Sequence, residues 1–88
     1  PRVVSPWKVA AVRLCLLALD RGHLTSEDFK AVKMDMTRWL KFGWIAATGW
    51  EKREGKRRLR QYSLIEEGCK QQPPHLKHPE IVKAILGG

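Results

Sequence analysis

The chain has 88 residues, with 17 Lys/Arg against 9 Asp/Glu and a net charge of +8, which makes it one small, strongly basic domain. That charge suits a phosphate-rich partner or an anionic membrane surface. No run approaches the ~18 apolar residues of a membrane span, no cleft of useful size is expected in so short a chain, and Cys15 and Cys69 are too few for a disulfide framework.

Ser5-Pro6 reads as a helix start, since proline at the first helical position forfeits no hydrogen bond. The helix runs to Arg21, with Val9, Val12, Leu16 and Leu19 at helical spacing and Cys15, Leu14 and Leu17 widening the stripe. Gly22 ends it. His23-Leu24 is a short extended link, and Thr25-Ser26-Glu27-Asp28 starts a second helix with acids in its first turn. Phe29, Val32, Met36 and Trp39 or Leu40 then keep helical spacing to Phe42. Periodicity leaves open one helix over 26–42 or two split near 32–34.

Gly43 stops the helical pattern. The segment 44–51 alternates as a strand, with Trp44, Ala46, Thr48 and Trp50 expected on one side. Arg53-Glu54-Gly55-Lys56 is a turn, and 57–65 is the return strand, cationic near the tip and apolar near the base. Residues 66–70 start a further helical turn that Pro73-Pro74 cuts short. Pro79–Leu86 is a last amphipathic helix, with Ile81, Val82, Ile85 and Leu86 apolar. The expected organisation is a domain over 1–72, then a Pro-rich connector and short helix over 73–88. Trp7, Trp39 and Trp44 are expected in the core; Trp50, nearest the turn, stays open as a contact.

Three phrases carry a resemblance. "LTSEDF" at 24–29 looks like a short strand and a capped second helix. "RWLKFGWI" at 38–45 looks like a recognition helix passing into a strand. "GKRRLRQYSLIEEG" at 55–68 looks like a wing and its return strand. Together, over roughly residues 7–70, they resemble the winged-helix family of helix-turn-helix domains. The resemblance implies an α+β, mainly α, fold: helix, short strand, one or two helices, β-hairpin wing and short C-terminal helix. The span from Ser26 to Gly43 is shorter than most members use for two helices and a turn, and Ile65 stands where a capping Thr is common.

On that resemblance the chain is expected to be a small DNA-binding transcriptional regulator of bacterial, phage or mobile-element type. With Met36 and Trp39 or Leu40 facing inward, Lys33, Thr37, Arg38 and Lys41 are the outward candidates on the recognition helix. Arg38 is the foremost, because a guanidinium pairs bidentately with a guanine edge. Between Lys52 and Arg60 there are six Lys/Arg against one acid, Glu54. There Lys52, Arg53, Lys56, Arg57, Arg58 and Arg60 are the expected contacts to phosphates or the adjacent minor groove.

The alternative is a winged helix that docks on a protein as an inhibitor or assembly subunit; structured RNA is a third partner. The Pro79–Leu86 helix offers a homodimer contact or packs back on the first helix. No catalytic phrase or phosphate loop is present, and His75-x-x-His78 is the only ligand-like spacing. No enzyme activity, metal or cofactor is expected. The expected setting is intracellular, cytoplasmic or nucleoid-associated.

Overall fold

The computed structural model describes residues 5–69 and 71–87 of the chain. In order the elements are α1 (Pro6–Arg21), α2 (Ser26–Ala31), α3 (Met36–Phe42), β1 (Ile45–Glu51), β2 (Leu59–Leu64), α4 (Pro74–Lys77) and α5 (Pro79–Leu86). The strands form an antiparallel hairpin, and Leu24 adds a one-residue bridge to the far side of β2 by exchanging both backbone hydrogen bonds with Tyr62, at 2.7 and 2.8 Å. The fold is thus a small α+β body with one hairpin.

In α1, Pro6 occupies the first helical position and Ser5 makes no side-chain cap. Gly22 closes the helix in the left-handed region at φ 93°, its N–H donating to the Ala18 carbonyl at 2.7 Å. The buried face is Ala11, Val12, Leu14, Cys15 and Ala18, not the expected stripe through Val9, Leu16 and Leu19; Leu19 is 54% exposed. The segment 14–19 is apolar all round, so spacing alone cannot choose its face. Ala11 and Ala18 let neighbouring elements approach closely, and the helix turns that side inward.

The 26–42 stretch is two helices. The Asp28 carboxylate accepts from the Thr25 N–H at 2.8 Å and from its hydroxyl at 3.2 Å, fixing the start of α2, and also pairs with Arg21. Between the helices, Lys33 takes φ 55°, a left-handed conformation that costs a residue with a Cβ about 1 kcal/mol. Asp35 then caps α3, accepting from the Thr37 N–H at 3.0 Å. Gly43, at φ 78°, ends α3, and the Trp44 N–H reaches back to the Trp39 carbonyl at 3.0 Å in a Schellman arrangement.

Phe29 and Trp39 meet edge-to-face at 5.1 Å, and Trp39 and Trp44 at 5.3 Å, inside a core completed by Leu24, Ile45 and the α1 face. Two expected core residues lie outside it: Val32, in the turn, is exposed, and Trp7 is 63% exposed. Trp7 sits in the first turn of α1, outside the cluster of buried residues.

The hairpin departs from simple alternation. Ala47 pairs with Tyr62 and Gly49 with Gln61, so Thr48 is an extra residue. The bulge moves Trp50 off the side of Ala46 and onto that of Ile45 and Ala47, opposite Arg60. Residues 66–69 form no helix, and Lys70 lies outside the described residues. The Pro-rich stretch is buried at Pro73, Pro74 and His75, and α4 and α5 both pack on α1, with Ile81 buried and Leu86 exposed. Among the described residues no helix is long and apolar enough to cross a membrane.

Candidate nucleic-acid interface

Successive residues of a helix are 100° apart, so with Trp39 buried the outward arc of α3 carries Thr37, Lys41 and Arg38. All three are exposed, as is Lys33 in the preceding turn. Asp35 neither pairs with Arg38 nor stands free, since its carboxylate is engaged in capping α3. With seven residues, α3 is about 10 Å long. It presents one cluster of side chains rather than a long reading face.

The hairpin tip is closed by the Lys56 N–H donating to the Arg53 carbonyl at 3.3 Å, with Gly55 at φ 70° supplying the turn. Lys52, Lys56, Arg57, Arg58 and Arg60 are exposed around it. Among the described residues none of these five, nor Lys33, Arg38 or Lys41, is held in an ion pair. Such cations meet a polyanion without first giving up a carboxylate partner.

Arg53 is different. Its Nε and Nη2 donate to the Arg57 carbonyl at 3.1 and 3.0 Å, and its Nη1 pairs with Glu27 in the first turn of α2. The side chain is only 24% exposed. The guanidinium clamps the tip to itself and to the helical body. This side chain, expected among the phosphate contacts, is thus engaged within the chain, and in this structure it acts as a brace.

Trp50 lies on the hairpin 51% exposed, with the Arg60 guanidinium 4.8 Å and the Arg58 guanidinium 5.5 Å from its ring centre. The ring orders two cations that would otherwise sample many rotamers. The sequence does not join these arginines to Trp50, because the Thr48 bulge carries no composition signal of its own.

Cys15 is fully buried, and desolvation pushes its thiol up to about 12, partly offset by the His75 backbone N–H. It is an inert apolar residue here. Among the described residues no cluster of His, Cys, Asp or Glu has the form of a metal site. No protein-family profile, curated protein or solved structure matches this chain.

Proposed function

We propose that this chain is a winged-helix DNA-binding protein, acting as a small transcriptional regulator. In this reading α2 and α3 form a short helix-turn-helix, and the hairpin is the wing. The observation that carries it is the set of eight exposed cations on the α2–α3 turn, α3 and the hairpin that have no ion pair among the described residues, set beside an Arg53 brace that holds the hairpin against α2. The order helix, single bridge, two short helices, antiparallel hairpin is also the order that the sequence resemblance implies.

The division of labour follows from chemistry. The hairpin cations neutralise phosphates and release counterions, which supplies sequence-independent affinity. Thr37, Arg38 and Lys41 on α3 meet base edges, with Arg38 on a guanine. An α3 of about 10 Å covers roughly three base pairs, so a single chain reads little sequence.

Fluorescence anisotropy on random and selected duplexes, from low to physiological salt, tests the proposal. Binding is expected to weaken steeply with salt. Arg57→Ala and Arg58→Ala should weaken all duplexes alike, whereas Arg38→Ala should mainly relax sequence preference. Light scattering on the enriched complex reads whether one or two chains sit on a site. Failure to bind any duplex at low salt refutes the proposal. The six residues of α2 and seven of α3 favour the second reading in that event, a winged helix that docks on a protein.

A further inference from the structure

Contrary to the expectation for so short a chain, a cleft of about 380 Å3 opens between the start of α1, the α2–α3 turn, α3 and α4. Its volume falls within the range of small-molecule sites. Four aromatic residues, Trp7, Trp39, Phe42 and Trp44, line it beside aliphatic neighbours such as Met34 and Pro74. Phe42 and Trp44 are stacked at a tilt, 4.9 Å apart, and the Trp44 Nε1–H donates to the Gln71 carbonyl at 2.9 Å, which fixes the ring. Trp7 lines the same cleft as an exposed indole with no aromatic partner among the described residues.

Three cations, Lys33, Arg38 and Lys77, also line the cleft, against a single acid, Asp35. None of the three is in an ion pair among the described residues, and Asp35 is engaged by the Thr37 N–H. Lys33 reaches this position from a left-handed backbone that a lysine adopts only at some cost, where glycine would be relaxed. Aromatic walls with uncompensated positive charge match a ligand that is flat, unsaturated and negative.

We infer that this cleft binds a small planar aromatic anion, its ring against the indoles and Phe42 that line the cleft and its carboxylate or phosphate on Lys33, Arg38 and Lys77. Lys33 and Arg38 also belong to the proposed DNA surface. The site is therefore a place where a small ligand and a duplex compete, a consequence that rests on the DNA reading. By reciprocity each lowers the other's affinity by the same factor.

Calorimetric titration of the full chain, without DNA, tests the site by itself. The probes are naphthoate and adenosine monophosphate, each beside its neutral congener, naphthyl methanol and adenosine. One molecule per chain is expected, with the anion roughly tenfold or more tighter than the neutral form, as a charge-assisted hydrogen bond gives. Trp7→Ala should abolish binding, and Trp7 is exposed enough for that variant to fold. Lys33→Gly, which relieves backbone strain, and Lys77→Gln should each weaken the anion several-fold and leave the neutral probe unchanged.

No saturable binding of either anion at millimolar concentration overturns the inference. So does equal affinity for charged and neutral probes, or binding that survives Trp7→Ala. If the anions bind as described, their effect on duplex affinity is then read by anisotropy. A chain that binds the anion but no duplex keeps this site and loses only the competition.

Discussion

Replacing Arg53 by alanine separates a brace from a phosphate contact. The guanidinium makes two hydrogen bonds to the Arg57 carbonyl and one ion pair with Glu27. Hydrogen bonds from a charged donor to a partly exposed carbonyl contribute about 1 kcal/mol each at most, because water can replace them. The ion pair adds about 0.5 kcal/mol, since Glu27 is largely exposed. Allowing for local fraying of the tip, Arg53→Ala should cost about 1.5 kcal/mol. In a domain of this size that lowers the melting temperature by roughly 6–12 °C. Arg57→Ala keeps the accepting carbonyl and should stay within about 0.5 kcal/mol of the parent. The two variants should exchange roles in a plot of log affinity for a duplex against log salt. Arg57→Ala loses about 0.9 of the slope, and Arg53→Ala loses none. Thermal melts by circular dichroism and a salt series by anisotropy measure both quantities. A normal melting temperature together with a slope reduced by about one for Arg53→Ala would refute the brace.

Lys33→Gly and Gly43→Ala should behave differently in thermal melts, because both positions are left-handed and only one holds glycine. Gly43→Ala meets nothing closer than the Cys69 Cα at 4.0 Å, so its cost is backbone strain, about 1 kcal/mol, while Lys33→Gly should be neutral or stabilising. At Asp28, burial pushes the carboxyl up, but the Thr25 N–H, Arg21 and the Thr25 hydroxyl outweigh it and hold the group below its ordinary 3.8. Its contribution is complete above pH 3.8 and is lost as pH falls through the lower folded value. Denaturant melts should therefore show the gap between the parent and Asp28→Asn closing as the pH drops below that point. Native-state alkylation followed by mass spectrometry should label Cys69 before Cys15, whose thiol stays protonated and buried until the chain unfolds.

The boundaries marked by glycine, proline or a capping acid were legible in the sequence, because each acts on its own backbone. Gly22, Gly43 and the Thr25–Asp28 start are of this kind. The turn at Lys33 was legible only as one of two alternatives. A lysine held at positive φ is chosen by the packing of Phe29 and Trp39 on either side of it, and no local preference announces it. The α1 face, the bulge at Thr48 and the exposure of Trp7 likewise depend on which elements arrive beside them. The candidate surface divides in the same way. Charge is a property of composition, so the cationic hairpin is visible in the letters. The capture of Arg53 by a carboxylate 26 residues away is not, nor is the gathering of Lys33, Arg38 and Lys77 around one aromatic cleft.

The bulge at Thr48 has a consequence for how the chain keeps company with its own copies. Strand β2 lies between β1 and Leu24, so β1 presents its outer edge, and on it a large indole. A straight edge of that kind invites another strand to add to it. One extra residue at Thr48 breaks the regular order of donors and acceptors midway along seven residues. An incoming strand can match the ladder on one side of Thr48 or the other, but never across it, and three residues of pairing are too few to hold.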